Sequence, residues 1–374
     1  MPNMKVVLMH DWLTGFRGGE RVLEVFCEMF PEAPLYTLLH DKGSVPESIE
    51  NRKIHTSFLD KMPGIYKHYR KTLPLMPLAA SMMKIQEEAD LVLSSSHCVI
   101  KGVKKPSNAV HVSYIHSPMR YIYDQFDAYF GPHAPWYQRL GMKFFRNYLT
   151  NWDIKSNENV DYPIANAEFV RERIKTYYKL DSDVVHPFVD LEDFRERQGQ
   201  FVKKEDFYIM VTAFAPNKRV DLAISTFKKL GLNLKIIGSG QEEERLKEMA
   251  GPTIEFLGNV SREEVIDHFF RAKAMIFPGI EDFGITPLES LASGTPVIAY
   301  RKGGVLETLN DQVAVFFDQQ NEFALSQAIR RFQDTERLMK KETMFKRADD
   351  FSKESFRKNM EEAIEAAMSG KKIR

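Results

Sequence analysis

The amino-acid sequence predicts an α/β protein with two doubly wound domains, each built on a parallel sheet. Short apolar runs that suit buried strands alternate with amphipathic helical patterns along nearly the whole chain. This series breaks off near residue 188 and begins again at residue 207. With 374 residues, the chain also exceeds one ordinary hydrophobic core. We therefore expect one domain over residues 1–188 and a second over residues 189–351.

The composition is typical of a water-soluble globular protein, with 43% hydrophobic and 28% charged residues. The 52 basic and 52 acidic side chains cancel, so no overall field favours nucleic acid as a partner. Cys27 and Cys98 are too few for a disulfide framework and lack metal-ligand spacing. The longest uncharged apolar stretch, residues 73–83, is too short to span a bilayer. We expect a cytoplasmic protein, with the inner face of the cell membrane as a further location.

The first half opens with a predicted strand over residues 4–9 and a helix from Glu20 to about residue 29. Its other elements are strands at residues 36–39, 89–93, 109–115 and 161–164, a helix at residues 168–177, and a loop at residues 41–50. Asp11 and His116 follow two of these strands, and Gly18-Gly19 precedes the first helix. Because the carboxyl ends of parallel strands meet at one edge, these residues could line one cleft. The alternatives are a structural histidine and glycines that only make a turn.

Two segments of the first half combine aromatic and basic side chains. They cover residues 56–83 and 136–155. Such amphipathic segments suit the headgroup region of an anionic membrane. The alternative is a set of core helices with a solvated basic face, and the sequence leaves both interpretations open.

The second half repeats the alternation of strands and helices. Strands are predicted at residues 207–211, 233–237, 254–257, 274–277, 296–300 and 313–317, with helices between them. Lys218 and Arg219 stand at the start of one helix, where the macrodipole disfavours each cation by about 0.3–1 kcal/mol. A bound diphosphate would explain them, and a solvated pair is the alternative. Gly238-Ser239-Gly240 is a weaker phosphate-loop signal, since such glycines also make ordinary turns.

Residues 276–304 carry the most chemistry. Glu281 is predicted in a loop after a buried strand, and Glu289 in the helical turn that follows. Thr286 is the predicted N-cap, so Glu289 would complete a capping box with it. Two carboxylates that face one ligand would instead accept hydrogen bonds from vicinal sugar hydroxyls. At this point both explanations stand.

These residues form motifs that resemble a known family. Glu281 and Glu289, in E-x7-E spacing before Ala292-Ser293-Gly294-Thr295-Pro296-Val297-Ile298, resemble the donor-site signature of retaining glycosyltransferases of family 4. Other motifs are similar to a mannosyltransferase-like branch that builds surface polysaccharide: His10-Asp11-Trp12-Leu13-Thr14, Arg17-Gly18-Gly19-Glu20, Ser94-Ser95-Ser96-His97-Cys98, His116-Ser117-Pro118-Met119-Arg120-Tyr121 and Asn217-Lys218-Arg219-Val220-Asp221. The resemblance implies the GT-B fold, in which two Rossmann-like domains face each other across a cleft.

The resemblance also implies roles for individual residues. Glu281 would contact the donor sugar, Glu289 the ribose, and Lys218 the diphosphate as it leaves. The catalytic set would be Glu281, Lys218, His116 and Asp11, with His116 at the sugar 6-hydroxyl and Asp11 near the acceptor. Further donor contacts would come from Arg219, Phe283, Gly284, Ile285, Thr286, Gly238, Gly240, Asn259, Val260, Gly18 and Gly19, and further acceptor contacts from Trp12 and Arg120.

Domain roles follow from the same resemblance. The N-terminal domain would bind the acceptor and the C-terminal domain the nucleotide sugar, and a final helix at about residues 352–374 would pack back on the first domain. No metal or other cofactor is expected. GDP-mannose is the favoured donor, with a saccharide or lipid-linked saccharide as acceptor. No carboxylate clearly stands where a nucleophile should, so same-face attack is favoured over double displacement.

One position departs from the family pattern. An arginine usually stands where this chain has Ala213, in Val211-Thr212-Ala213-Phe214, so one diphosphate contact is missing. Arg219, where many relatives carry glycine, is our candidate to supply that charge. Two other functions remain in consideration: a sugar-nucleotide epimerase of the same architecture, and a non-catalytic membrane-peripheral protein that binds nucleotide sugars.

Overall fold

A computed structural model of the chain describes residues 4–131 and 134–370. The chain divides into two compact units. Unit 1 comprises Met1–His186 together with Arg357–Arg374, and unit 2 comprises Pro187–Phe356. Each unit is built on one sheet whose paired strands are all parallel.

Unit 1 holds a seven-stranded sheet in the order β3-β2-β1-β4-β5-β6-β7. Its strands are β1 (Val6–His10), β2 (Leu35–Thr37), β3 (Ile54–Thr56), β4 (Leu91–Ser96), β5 (Val110–Ile115), β6 (Tyr162–Ala165) and β7 (Asp183–Val184). Its helices are α1 (Gly18–Met29), α2 (Glu47–Glu50), α3 (Ile65–His68), α4 (Met76–Met82), α5 (Phe126–Phe130), α6 (Trp136–Ser156) and α7 (Glu168–Tyr178). Strands β1 and β4 are buried along their whole length, as expected for a sheet covered on both faces.

Unit 2 holds a six-stranded sheet in the order β10-β9-β8-β11-β12-β13. Its strands are β8 (Tyr208–Val211), β9 (Leu234–Ile237), β10 (Ile254–Gly258), β11 (Met275–Phe277), β12 (Val297–Tyr300) and β13 (Ala314–Phe317). Its helices are α8 (Glu192–Gln198), α9 (Val220–Leu230), α10 (Glu243–Met249), α11 (Arg262–Arg271), α12 (Ile285–Ala292), α13 (Val305–Thr308), α14 (Glu322–Thr335) and α15 (Lys341–Asp349). The last helix, α16 (Lys353–Met368), begins in unit 2, and its residues from Arg357 belong to unit 1.

The predicted fold class, two doubly wound parallel α/β domains, is confirmed. In unit 1 the strand order reverses at β1, which pairs with β2 on one side and β4 on the other. In unit 2 it reverses between β8 and β11, which pair with each other. Such reversals are the places where doubly wound sheets bind ligands, beyond the carboxyl ends of the strands.

Several predicted boundaries are wrong. Residues 41–50 were expected to form a loop but contain α2, and β3 follows as an edge strand that the short apolar pattern did not indicate. Helix α1 begins at Gly18, two residues before the predicted start at Glu20. Helix α12 begins at Ile285, with Gly284 as its N-cap at φ 91°, so Thr286 lies inside the first turn. The left-handed turn that glycine permits sets this helix start, and the threonine hydroxyl does not cap it.

The two aromatic and basic segments serve the core and also reach the surface. Residues 56–83 form short helical turns, among them α3 and α4, and contribute Leu59, Tyr69 and Met76 to the core of unit 1. Residues 136–155 lie in α6, which buries Met142 and Leu149. Both segments also expose large apolar side chains: Phe58, Met62, Tyr66, Leu75, Leu78, Met82, Trp136, Tyr137, Leu140, Phe144, Tyr148 and Ile154.

Candidate functional site

The strongest candidate site in unit 2 lies where the strand order reverses. Lys218 follows β8 and Glu281 follows β11. The Lys218 Nζ atom lies 2.5 Å from Glu281 Oε1, and the two side chains are 16% and 20% exposed. The structure thus brings together the cation and the carboxylate that the sequence predicts for diphosphate and sugar. An ion pair of this kind is accessible to a ligand while most of each side chain is held by protein.

Backbone contacts explain why these two residues meet. The N–H of Ile280 donates to the carbonyl oxygen of Asn217 at 3.3 Å, and the Asn217 amide donates to the Ile280 carbonyl at 3.4 Å. A Cβ atom on Gly279 would lie 2.7 Å from the Asn217 oxygen and 2.8 Å from Lys218 Cα. The loop after β11 can therefore lie against Lys218 only because residue 279 is glycine.

Arg219 is the N-cap of α9, so Lys218 and Arg219 do stand at a helix N-terminus as predicted. Its backbone is left-handed, with φ 53°, which non-glycine residues adopt at a cost of about 1–3 kcal/mol. The guanidinium binds Asp221 in the first helical turn, with Nε 3.1 Å from Oδ1 and Nη2 3.2 Å from Oδ2. Glycine would adopt this left-handed geometry more readily, and this chain has a charged side chain there instead.

Glu289 has a partner that the sequence did not reveal. Its Oε1 atom accepts a hydrogen bond of 2.6 Å from Arg262 Nη1, and Arg262 Nε donates to Asp193 at 3.0 Å. The Arg262 guanidinium also lies over the Phe194 ring, 5.2 Å from its centre. The capping-box interpretation of Glu289 with Thr286 is therefore wrong, because α12 starts earlier and the carboxylate faces Arg262. No spacing in the sequence pairs Arg262 with a residue 27 positions later.

The start of α12 lies between the two glutamates. Phe283 is buried and packs edge-on against Phe351, with ring centres 5.6 Å apart. Gly284 caps the helix, and Ile285 and Thr286 are half-buried in its first turn. The N–H groups of a first turn have no acceptor within the helix, so this backbone can donate to a ligand.

The loops after β9 and β10 lie beside each other. Gly238 N–H donates to the Gly258 carbonyl at 2.9 Å, and Ser239 Oγ lies 3.1 Å from Asn259 Nδ2. A Cβ atom on Gly238 would lie 1.9 Å from the Thr212 oxygen, and one on Gly240 only 2.6 Å from the Phe214 oxygen, both in the loop after β8. Close backbone packing thus accounts for both glycines without a phosphate. Asn259 is exposed and Val260 half-buried.

In unit 1, Asp11 is fully buried and binds backbone N–H groups. Its Oδ2 atom accepts from His97 and Cys98 at 2.6 and 2.9 Å, and its Oδ1 atom accepts from Val99 and Ile100 at 2.7 and 2.8 Å. Burial disfavours the charge, but His97 and the N–H donors outweigh it and hold the Asp11 pKa below its ordinary value. The structure gives this carboxylate a direct role in shaping the loop after β4.

His116 follows β5 and belongs to a buried polar chain. Its Nε2 atom lies 2.8 Å from Ser95 Oγ, and the same oxygen lies 3.1 Å from His10 Nδ1. On its other side, His10 Nε2 lies 3.8 Å from Glu20 Oε1. Burial lowers the pKa of His116 to about 3, so the imidazole is neutral at physiological pH. The sequence indicated His116 by its place after a strand, and it gave no sign of Ser95 as the link to His10.

The remaining predicted residues of unit 1 lie near this chain or outside it. Gly18 and Gly19 form the first turn of α1, and a Cβ atom on Gly19 would lie 3.5 Å from His10 Cε1 and 3.8 Å from His116 Nε2. The Trp12 ring meets His97 edge-on at 4.4 Å. Arg120 is half-buried in the turns after β5, where its carbonyl accepts from the Gln125 N–H.

Within the described ranges, 4–131 and 134–370, no helix has both the length and the apolar character needed to cross a membrane. Family comparison gives a positive result. Residues 192–350 match the family described as glycosyl transferases group 1. This match covers α8 to α15 and therefore the whole candidate site of unit 2.

Individual relatives are similar at low identity. An uncharacterized glycosyltransferase of Methanocaldococcus jannaschii is 27% identical over 217 residues, which cover 56% of this chain and 58% of that protein. An alpha-1,3/1,6-mannosyltransferase of Saccharomyces cerevisiae is 24% identical over 343 residues, or 75% of this chain and 65% of that protein. An O-antigen chain mannosyltransferase of Salmonella typhimurium is 28% identical over 168 residues, or 42% and 46%. The chain thus spans less than two thirds of the length of these relatives.

Solved structures agree in fold. Sucrose-phosphate synthase from Thermosynechococcus elongatus superposes with a TM-score of 0.75 at 16% identity, covering 98% of this chain and all of that one. An Anabaena protein, HepE, solved in complex with UDP and glucose, gives a TM-score of 0.70 at 14% identity over 97% and 100%. The family match over residues 192–350, the relatives and the two parallel-sheet units together support a GT-B glycosyltransferase of the branch that resembles family 4.

Proposed function

We propose that the protein transfers a hexose, with mannose favoured, from a nucleotide diphosphate sugar to a saccharide or lipid-linked saccharide acceptor. The contact between Lys218 and Glu281 at the strand-order reversal of unit 2 carries this proposal. A diphosphate would take over the Lys218 ammonium, which frees Glu281 to accept hydrogen bonds from sugar hydroxyls. Glu289, held by Arg262, would receive the ribose hydroxyls. Mannose is favoured because two of the relatives are named as mannosyltransferases.

The proposed transfer retains the configuration of the sugar by same-face attack. The bond from the sugar to the diphosphate breaks while the acceptor hydroxyl attacks from the same face, and a departing phosphate oxygen accepts the hydroxyl proton. Lys218, Arg219 and the first turn of α9 would stabilise the negative charge that develops on the diphosphate. Metal independence is part of this proposal, because cationic side chains would do the work of a metal ion.

A transfer assay tests the reaction. Nucleotide sugars are first screened for thermal stabilisation, since a ligand at 100 times its Kd adds about 2.7 kcal/mol. The stabilising donor is then incubated with lipid-linked saccharides, with and without EDTA, and the anomeric configuration of the product is read by NMR. We expect GDP-mannose to stabilise, EDTA to have no effect, and Glu281→Ala to abolish transfer. Normal turnover by Glu281→Ala, or an inverted product, would contradict the proposal.

The role of Arg219 has a separate test. A left-handed arginine where glycine fits better indicates that the charge is worth its conformational cost. We expect Arg219→Ala to weaken donor binding, though less than Lys218→Ala does, because Arg219 is shared with Asp221. Calorimetric titration with the donor measures both. Unchanged affinity in Arg219→Ala, beside a strong loss in Lys218→Ala, would remove Arg219 from the site.

We also propose that unit 1 touches an anionic membrane through residues 56–83 and 136–155. Phe144 and Trp136 of α6 are 80% and 74% exposed, and Arg139 and Lys143 are exposed beside them. No acidic residue occurs between residues 136 and 152, so charge and apolar surface both suit anionic headgroups. A lipid-linked acceptor would be reached from this position.

Vesicle sedimentation tests the membrane contact. We expect the protein to sediment with vesicles that contain anionic lipid, to be released by salt, and to ignore zwitterionic vesicles. Phe144→Ser should weaken binding. Phe201→Ser is the matched control, since Phe201 is 94% exposed but belongs to unit 2. Equal binding to both vesicle types, or an equal loss of binding in both variants, would contradict the proposed membrane contact.

A further inference from the structure

Unit 1 contains a buried arrangement of acid, imidazole and hydroxyl that none of the roles above uses. Glu20 from α1, His10 from the end of β1 and Ser95 from β4 follow one another in space and end on His116. Ser95 and His10 are fully buried, and Glu20 is nearly so. An external substrate cannot reach the Ser95 hydroxyl, so this set does not provide a nucleophile. Of these four residues, His116 is the one that a ligand can reach, because it is only half-buried.

We propose that Glu20, His10 and Ser95 form a relay that fixes the tautomer of His116, with the proton on Nε2 and a bare Nδ1. The first link, from Glu20 to His10, is electrostatic, and the two links through Ser95 are hydrogen bonds. His116 would then accept a hydrogen bond from a hydroxyl of the donor sugar. The three buried residues are positioning residues, because they act on the substrate only through His116. This inference rests on the proposed function for the identity of the ligand, and the relay itself rests on the geometry.

Glu20 determines which nitrogen of His10 carries the proton, and so the direction of the hydrogen bonds that follow. The Glu20 Oε2 atom accepts the Arg17 N–H at 3.0 Å, and its Oε1 atom faces His10 Nε2 at 3.8 Å. Burial disfavours the charge of this carboxylate, but the neighbouring His10 outweighs burial and holds the pKa of Glu20 at about 2. A carboxylate that faces Nε2 favours a proton on that nitrogen. At 3.8 Å the two atoms are too far apart for a hydrogen bond, so the carboxylate acts on His10 through its charge.

Each following hydrogen bond then has one possible sense. In the proposed relay His10 is neutral with its proton on Nε2, so its Nδ1 is bare and accepts from the Ser95 hydroxyl at 3.1 Å. Because the Ser95 hydroxyl proton is donated to His10, the Ser95 oxygen accepts from His116 Nε2–H at 2.8 Å. A neutral His116 carries one proton, so its Nδ1 is an acceptor.

Neighbouring groups leave this assignment intact. The His97 ring centre is 5.8 Å from that of His10 and 6.3 Å from that of His116, too far for a hydrogen bond to either ring. The Asp11 carboxylate is occupied by four N–H donors and by His97. A Cβ atom on Gly19 would contact the His10 and His116 rings, and glycine places no competing polar side chain there.

Nitrogen NMR of the imidazoles in the full-length protein tests the relay without any substrate. We expect His116 to be protonated at Nε2 in the parent protein, with the signal assigned through His116→Asn. Glu20→Gln should invert the relay. Its carbonyl stays on the Arg17 N–H, so its NH2 group faces His10 Nε2, which becomes the acceptor. His10 then donates to Ser95, Ser95 donates to His116 Nε2, and the proton of His116 moves to Nδ1.

Two comparisons separate a relay from a local effect. Glu24→Gln, one turn further along α1, should leave the tautomers of His10 and His116 unchanged. In a Ser95→Ala background, Glu20→Gln should still change His10 but no longer change His116. A parent His116 protonated at Nδ1, an unchanged His116 in Glu20→Gln, or an equal change with and without Ser95 would each overturn the proposal.

Activity supplies the second reading. In Glu20→Gln, His116 would present Nδ1–H to the sugar hydroxyl in place of a bare Nδ1, so the hydroxyl would lose its acceptor. We therefore expect kcat/KM to fall by about tenfold. A donor analogue that lacks this hydroxyl should show no such loss, whereas a damaged fold would slow both donors alike. If no nucleotide sugar is transferred at all, the proposed function fails, and the tautomer measurement still decides the relay.

Discussion

Asp11→Asn is the most informative single substitution in unit 1, because the structure gives the carboxylate a full set of partners. Its two oxygens accept four backbone N–H groups, from His97, Cys98, Val99 and Ile100. An asparagine keeps the shape but replaces one oxygen by NH2, so two donors lose their acceptor. Each unsatisfied buried donor costs about 1–3 kcal/mol, which gives about 2–6 kcal/mol in all.

Thermal unfolding and hydrogen exchange measure this loss. For domains of about 150–250 residues, 1 kcal/mol shifts Tm by about 2–4 °C, so the lower bound corresponds to about 4–8 °C. The amides of residues 97–100 should also exchange faster in the variant than in the parent protein, and those of β4 should change less. Asp127→Asn, at an exposed position of α5 in the same unit, is the control and should change stability by less than about 0.5 kcal/mol.

The outcome decides between two roles for Asp11. A variant with parental Tm and parental exchange at residues 97–100 would refute the structural role argued from the four hydrogen bonds. If such a variant were also inactive, the carboxylate would act on the acceptor, as the family resemblance implies. Loss of both stability and activity would show that the loop after β4 must be held in place before catalysis.

Two further predictions concern charged side chains that are buried or half-buried. Burial and the nearby Lys341 lower the pKa of Lys204 to about 7, against 10.5 ordinarily. Between these two pH values the unfolded chain binds more protons than the folded protein does, so the cost of burying Lys204 falls as pH rises. Lys204→Met should therefore raise Tm more at about pH 6 than at about pH 10, and the same gain at both would contradict this. Asp153 pairs with buried Lys101 and accepts hydrogen bonds from Tyr123 and Tyr178. Asp153→Asn should cost about 3–5 kcal/mol in chemical denaturation, and a loss below about 1 kcal/mol would show that the network tolerates a neutral side chain.

The sequence predicted the features that depend on local patterns. Strands such as β1 and β11 are apolar on both faces, and the carboxyl ends of parallel strands are fixed by connectivity, so Lys218 and Glu281 could be placed at one edge before any coordinates. The predicted start of α12 is wrong, and the reason is also local. Thr286 fits a cap by residue type, but Gly284 offers a left-handed turn two residues earlier, and residue preferences do not rank these two choices.

Long-range polar contacts were beyond prediction from one sequence. Arg262 looks like an ordinary charged residue in the first turn of α11, and only the packing of that helix beside α12 brings it to Glu289. Ser95 likewise reads as one of three consecutive serines. Its alternation in β4 points it to the face that His10 and His116 share, and no periodicity distinguishes that face when both are buried.

Three ion pairs at the candidate site of unit 2 suggest how a donor would be admitted. Lys218 binds Glu281 and Arg219 binds Asp221, so each proposed donor-site cation already has an acidic partner, and Glu289 is held by Arg262. Since a diphosphate competes with Glu281 for Lys218, Glu281→Gln should bind the bare nucleoside diphosphate more tightly than the parent does. A partly exposed pair contributes about 0.2–1 kcal/mol, which corresponds to a gain of up to about fivefold. Calorimetric titration with GDP measures it, and Asp221→Gln provides a comparison at the neighbouring pair. Weaker GDP binding in Glu281→Gln would mean that Glu281 positions Lys218 for the phosphate and does not compete with it.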